Sequence, residues 1–181
     1  MTNERQIRNL ALIGFMGTGK SCVGRLVASR LRFDFLDTDM VIEARAGKSI
    51  SEIFAQAGEA VFRDIEKKVV TELEHRSRTV IATGGGLSAN EANLASLKQH
   101  ALVVCLWASA ESIWQRVRQQ SHRPLLQGAD PLDRIRTLLT QRAPYYRQAD
   151  VLMNTEMRSV HQVASHMVHE FQMACAQGPR S

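Results

Sequence analysis

Cysteine is scarce in this chain: Cys22, Cys105 and Cys175 are widely spaced and form no CxxC pair. Neither a disulfide framework nor a zinc site is indicated, and a reducing, cytoplasmic setting is expected. No apolar run approaches the ~20 residues that span a bilayer, and Met1-Thr2-Asn3-Glu4-Arg5 offers no apolar signal core. A soluble protein with no membrane partner is expected. Basic blocks are also missing. Although 23 Lys+Arg against 18 Asp+Glu give a formal net charge of +5, no basic run or aromatic-interleaved stripe points to nucleic acid as a partner. An anionic small substrate explains the excess equally well. The six histidines show no metal-ligand spacing. At 181 residues and 44% hydrophobic, with no repeat or linker, the chain is read as a single domain over 1–181.

What is present begins with Gly14-Phe15-Met16-Gly17-Thr18-Gly19-Lys20-Ser21, which fits GxxxxGK[ST] and follows the apolar run Leu10-Ala11-Leu12-Ile13. After it, Val23, Leu26, Val27 and Leu31 recur at helical spacing, so strand, loop and helix stand in the order a phosphate-cradling loop requires. Its backbone N–H groups and the positive end of the helix dipole would face one anion. Lys20 is placed to reach the β/γ-phosphates, and Ser21 to hold Mg²⁺. Cys22, one residue on, is read as a small packing residue.

Later apolar runs at Phe33–Leu36, Thr79–Ala82, Ala101–Trp107 and Val151–Met153 alternate with helical patterns. The alternation predicts α/β architecture, a parallel sheet with ligands gathered at the carboxyl ends of its strands. Ser49 and Glu52 have capping-box spacing, and Gly58 is expected to close that short helix. A longer helix with Phe62, Ile65, Val69 and Leu73 on one face follows. Ser109 is expected to cap a helix bearing Ile113 and Val117, and Pro144 to stop one bearing Leu132, Ile135, Leu138 and Leu139. The last helix is expected to bury Val160, Val163, Met167 and Phe171. The polar stretch from Gln119 to Pro131 reads as a lid.

Several other segments carry chemistry-bearing residues at this sheet edge. Asp37-Thr38-Asp39 ends the second strand, where its carboxylates either cap the next helix or serve Mg²⁺ and an attacking hydroxyl. Arg63 and Glu66 form an i,i+3 pair that is an ordinary surface device or a charged fork for a substrate carboxylate. Thr83-Gly84-Gly85-Gly86 is a flexible turn or a stretch of bare backbone set against a ligand. Arg123, stiffened by Pro124, and Arg142, just before Ala143-Pro144-Tyr145-Tyr146, are placed to reach anions. Arg116 has a weaker version of the same signal.

Together GFMGTGKS at Gly14, DTD at Asp37, GE..FR..E from Gly58 to Glu66, GGG at Gly84, RPLL at Arg123 and RAPYY at Arg142 resemble the shikimate kinase family over nearly the whole chain. The resemblance implies a three-layer P-loop kinase fold with a five-stranded parallel sheet, a substrate-binding region at about 37–66 and a lid at about 119–131. It implies transfer of the ATP γ-phosphoryl group to the 3-hydroxyl of shikimate by a monomer. By matching position, Asp39 orients or deprotonates that hydroxyl, Arg63 and Arg142 bind the substrate carboxylate, and Glu66 positions Arg63. Gly85 and Gly86 belong to the substrate loop, with Phe54 and Phe62 as apolar walls.

On the nucleotide side, the resemblance assigns ATP contacts to Gly17, Thr18, Gly19, Lys20, Ser21, Cys22, Arg116, Arg123 and Arg158. Mg²⁺ falls to Ser21 and, through water, Asp37, while Lys20 and Arg123 stabilise charge during transfer. The chain departs from the family's pattern at Cys22 and across Met153–Arg158, around the adenine. The alternatives are a P-loop kinase for another hydroxylated acid such as gluconate, disfavoured by the two arginines with GGG, and a catalytically silent nucleotide-binding regulatory module.

Overall fold

The computed structural model describes residues 5–118 and 130–176. Strands β1 (Asn9–Ile13), β2 (Asp34–Asp37), β3 (Thr79–Ala82), β4 (Ala101–Trp107) and β5 (Val151–Asn154) form one parallel sheet in the order β2-β3-β1-β4-β5. Each expected strand is present. The second starts at Asp34 rather than Phe33 because Arg32 takes a left-handed φ of 54° and Phe33 N–H returns to Ala28 O at 2.9 Å, closing α1 (Lys20–Leu31).

Parallel pairing requires crossovers, and helices supply them on both faces. On one face Ala11 and Ile13 pack with residues of α3 (Ile50–Leu73), α4 (Glu91–His100), α5 (Ala110–Val117) and α6 (Pro131–Tyr146). On the other, Leu10 and Leu12 meet Val23 and Val27 of α1 and Val163, Met167 and Phe171 of α7 (Val160–Ala176). This is the expected three-layer α/β arrangement. A third cluster, Ile42, Ile53, Phe62 and Val69, joins α2 (Thr38–Ala46) to α3 and gives this excursion from the sheet a core of its own.

Ser49 and Glu52 form the capping box: Ser49 N–H donates to Glu52 Oε2 at 2.7 Å and Glu52 N–H to Ser49 Oγ at 3.2 Å. Three expectations need correction. Gly58 does leave the helical region (φ 80°, ψ 172°), but helix resumes at once, so α3 continues to Leu73 through a kink. Pro144 lies inside α6, which ends at Tyr146; so close to the terminus, the missing N–H removes a bond without ending the helix. Val160 opens α7 and is 41% exposed rather than inward. Asp130 caps α6 and Pro131 begins it; the rest of the expected lid, 119–129 with Arg123, lies outside the described residues.

Candidate active site

The glycine-rich loop leaves the carboxyl end of β1, the central strand, where the strand order reverses and a crevice opens. Gly14, Gly17 and Gly19 have φ of 130°, 75° and 95°, a region that glycine adopts without a Cβ clash. At Gly14 a Cβ would also stand 2.2 Å from Leu106 O. Helix α1 starts with no side-chain cap and no acid in its first turn, leaving its N-terminal N–H groups for an anion. Lys20 folds over the loop, donating to Gly14 O at 2.9 Å and Phe15 O at 2.8 Å.

Thr18 Oγ1 donates to Phe15 O at 2.8 Å, so its hydroxyl braces the loop rather than facing a nucleotide. Ser21 Oγ donates to Asp37 Oδ2 at 2.7 Å, while Asp37 Oδ1 accepts Asp39 N–H at 3.1 Å. One carboxylate therefore both caps α2 and touches the phosphate loop. A hydroxyl beside a carboxylate is an all-oxygen pair suited to a hard cation such as Mg²⁺. Among the described residues no group of three His, Cys, Asp or Glu could cage a metal.

Next to the loop is a cavity of about 290 Å³ lined by Met16, Asp39, Phe54, Phe62, Arg63, Glu66, Gly84, Gly85, Gly86 and Arg142, among others. Every residue that the sequence placed in the substrate pocket is here. Arg63 Nη1 donates to Glu66 Oε2 at 2.9 Å, and Nη2 to Glu59 Oε1 at 3.0 Å. Burial pushes the Glu66 carboxyl above its ordinary pKa against the pull of Arg63, with Asp39 adding to the rise. Burial opposes the charge on Arg63, but Glu66 and Glu59 outweigh it and its pKa is raised. Arg142 is 9% exposed, donates to Gly85 O at 2.7 Å, and lies 5.3 Å from the Phe15 ring centroid. Phe15 thus joins the two halves of the cleft, its carbonyl under Lys20 and its ring under Arg142.

The three glycines each face one charged group. A Cβ at Gly84 would stand 2.3 Å from Asp39 Oδ1, one at Gly85 3.8 Å from Arg142 Nη1, and one at Gly86 2.9 Å from Arg63 Nη2. The turn is fixed by Gly84 N–H donating to the buried Thr38 Oγ1 at 2.9 Å and by Tyr146 Oη donating to Gly85 O at 3.1 Å. Burial pushes the Tyr146 phenol up to about 12. Sequence reasoning missed Gly84 as a close neighbour of Asp39, and with it Thr38, Tyr146, Glu59 and the pocket-lining Met16. Thr38, Tyr146, Glu59 and Met16 all sit inside the motif strings, which was the available signal.

On the other side of the phosphate loop, Arg116 donates to Gly17 O at 3.2 Å, Thr155 Oγ1 at 3.0 Å and Thr155 O at 2.9 Å. Glu156 Oε1 accepts from Ser109 Oγ at 2.5 Å, Ser112 Oγ at 2.7 Å and Ser109 N–H at 2.8 Å. These bonds, the Ser109 hydroxyl's foremost, lower the Glu156 pKa to about 2. The segment that departs from the family's pattern is thus tied down by Glu156. Arg116 and Glu156 line a shallow depression together with Ser112, Gln115 and Met157. Arg158, expected beside them, is exposed and outside that lining, and Cys22, expected to pack, is instead exposed in the first turn of α1.

A family model described as shikimate kinase matches residues 16–172, from the phosphate loop through the arginine-bearing α6 to α7. The chain belongs to the shikimate kinase family. The shikimate kinase of Thermodesulfovibrio yellowstonii is 45% identical over 166 residues, covering 92% of this chain and 96% of that protein. The structure of shikimate kinase from Acinetobacter baumannii in complex with shikimate is similar at a TM-score of 0.89 and 37% identity, covering 94% of this chain and 96% of that one. A gluconokinase from Sinorhizobium meliloti has a TM-score of 0.62 at 14% identity, covering 96% of each chain. That likeness is one of fold alone, so it does not favour gluconate over the acceptor of the shikimate kinase family.

Proposed function

We propose that this member of the shikimate kinase family transfers the γ-phosphoryl group of ATP to the 3-hydroxyl of shikimate, giving shikimate 3-phosphate and ADP. The observation that carries the reading is the single cavity in which Asp39, Arg63 and Arg142 converge on the glycine triplet beside Met16 of the phosphate loop. Two guanidinium forks suit a carboxylate, and charge-assisted bonds of this kind fix orientation as well as affinity. Phe54 and Phe62, with ring centroids 4.8 Å apart, provide an apolar wall for a carbocycle. That wall suits a ring better than an open-chain acid such as gluconate.

With the carboxylate held by Arg63 and Arg142, Asp39 accepts a hydrogen bond from the 3-hydroxyl and orients its oxygen toward the γ-phosphorus. The bond from O3 to phosphorus forms as the bond to the β,γ-bridging oxygen breaks, and the hydroxyl proton passes to Asp39 and then to solvent. Backbone N–H groups at Gly17 and Gly19 and the start of α1 receive the phosphates, and Lys20 exchanges its loop carbonyls for phosphate oxygens. Ser21, with Asp37 through water, would hold Mg²⁺, which when bound neutralises charge on the phosphates. Arg123 is assigned to the transferred group, Arg116 to the adenine side. Such a site works by positioning and charge stabilisation, since phosphoryl transfer asks little covalent chemistry of the protein.

The same reading includes a single kinase domain acting as a cytoplasmic monomer. Among the described residues no helix is long and apolar enough to cross a membrane. A coupled ADP-release assay with shikimate, with gluconate and with no acceptor tests the proposal. Release that depends on shikimate is expected; release driven equally by gluconate would transfer the reading to another acid, and no stimulation by any acceptor would favour a silent nucleotide-binding module.

A further inference from the structure

The segment Met153–Arg158, where the chain departs from the family's pattern, carries a carboxylate with no part in phosphoryl transfer. Glu156 lines a depression of about 410 Å³ together with Ser112, Gln115, Arg116 and Met157. Arg116 ties that depression to the phosphate loop, since its guanidinium donates to Gly17 O on one side and to Thr155 on the other. The depression thus adjoins the loop on the side that the proposed reading gives to the nucleotide base.

Glu156 is held at both ends. Its N–H donates to Asn154 Oδ1 at 2.7 Å. Its carboxylate takes three donors, the N–H and hydroxyl of Ser109 and the hydroxyl of Ser112, and all three fall on Oε1. A carboxylate oxygen offers about two lone-pair sites, so Oε1 is full and Oε2 is the acceptor for a group that enters. With its pKa lowered to about 2 by these bonds, the side chain stays ionised at working pH and never donates. The next residue is turned outward: Met157 has a φ of 53° and a fully exposed side chain. A left-handed residue other than glycine is uncommon. This one leaves an apolar, polarisable side chain in water at the rim of the depression, suited to the face of an aromatic ring.

We propose that Glu156 sets the base preference of this enzyme, its Oε2 accepting a hydrogen bond from the 6-amino group of adenine while Met157 lies against the face of the ring. The inference rests on the proposed reading in which the phosphate loop holds ATP with Arg116 on the adenine side. One open acceptor matches adenine, whose edge carries a single exocyclic amino donor. A 6-oxo purine such as hypoxanthine puts an oxygen in that place, and two acceptors facing each other leave both unmatched. Guanine adds N1–H and 2-amino donors side by side, which call for both carboxylate oxygens at once, and Oε1 is already taken.

Calorimetric titration of the full chain with MgADP, MgIDP and the magnesium diphosphate of purine riboside, which lacks any 6-substituent, tests this without turnover. Wild type should bind ADP about tenfold more tightly than either analogue, the worth of one hydrogen bond to a charged group. In Glu156→Gln the amide oxygen takes the place of Oε1 among the serine donors, which puts the amide nitrogen, a donor, in the place of Oε2. The preference for ADP over IDP should then vanish or reverse. A residue that only braced the loop would instead weaken all three nucleotides alike, and that result would overturn the inference. So would equal wild-type affinities for ADP and its analogues, a comparison that stands even if Glu156→Gln fails to fold. Where either result comes with shikimate-dependent ADP release intact, the proposed reaction survives and only the base-reading role falls; failure to bind any of the three would overturn both.

Discussion

Replacing Gly84 with alanine tests how tightly the glycine triplet sets the reacting carboxylate. Gly84 is not among the residues with positive φ, so alanine meets no backbone barrier and the whole effect comes from the added methyl. That methyl would lie 2.3 Å from Asp39 Oδ1 and 3.2 Å from its carboxyl carbon, about 1 Å inside an ordinary C···O contact of ~3.3 Å. Gly84 is anchored through its N–H to the buried Thr38, so the carboxylate is the group that gives way. A displacement near 1 Å at a reacting group costs about 10²-fold in rate, or ~2.7 kcal/mol of barrier. Overpacking would destabilise the fold by roughly 1–3 kcal/mol, lowering Tm by about 2–4 °C per kcal/mol in a chain of this size. Steady-state kinetics by coupled ADP release, with thermal melts alongside, should show kcat down about a hundredfold and KM for ATP nearly unchanged. By contrast, Gly86→Ala presses on Arg63 and should act mainly on KM for shikimate. A folded Gly84→Ala enzyme with wild-type kcat would refute the reasoning.

Arg63→Ala and Arg142→Ala should each raise KM for shikimate at least tenfold, about the worth of a charge-assisted hydrogen bond, with KM for ATP little altered; shikimate affinity unchanged in both would remove the carboxylate clamp. Glu156, whose pKa is lowered to about 2, stabilises the 154–159 loop above its ordinary pKa of 4.5, and that contribution is lost as pH falls toward 2. The Tm difference between wild type and Glu156→Gln should therefore be largest above pH 4.5 and shrink in acid, with KM for ATP raised in the variant. A difference that does not vary with pH would contradict the assignment.

The sheet was legible because its strands are short apolar runs bounded by turns and caps, and the Ser49 cap of α3 was readable from side-chain chemistry three residues apart. Helix ends were less so. Pro144 and Gly58 carry strong local stop signals that packing of Ile135 and Leu138 on one side, and of Ile53 and Phe62 on the other, overrides. The acceptor pocket was legible only through family resemblance, since its members come from α2, α3, the turn after β3, and α6. The one-to-one facing of glycines and charged groups had no local signature: it arises because β2 and β3 are neighbours and bring Asp39 against Gly84. The segment Met153–Arg158 read in sequence only as a departure from the family's pattern around the adenine; that Glu156 locks it to the start of α5 through Ser109 and Ser112 had no signature in the chain.

The most direct measurement is the turnover of Asp39→Asn together with its shikimate affinity, taken from ADP-release kinetics and from calorimetric titration of shikimate. With Asp39 as the carboxylate that directs the acceptor hydroxyl, kcat should fall about 10²- to 10⁴-fold while shikimate still binds through Arg63 and Arg142. Wild-type turnover in Asp39→Asn, or a loss explained wholly by weakened shikimate binding, would contradict the account.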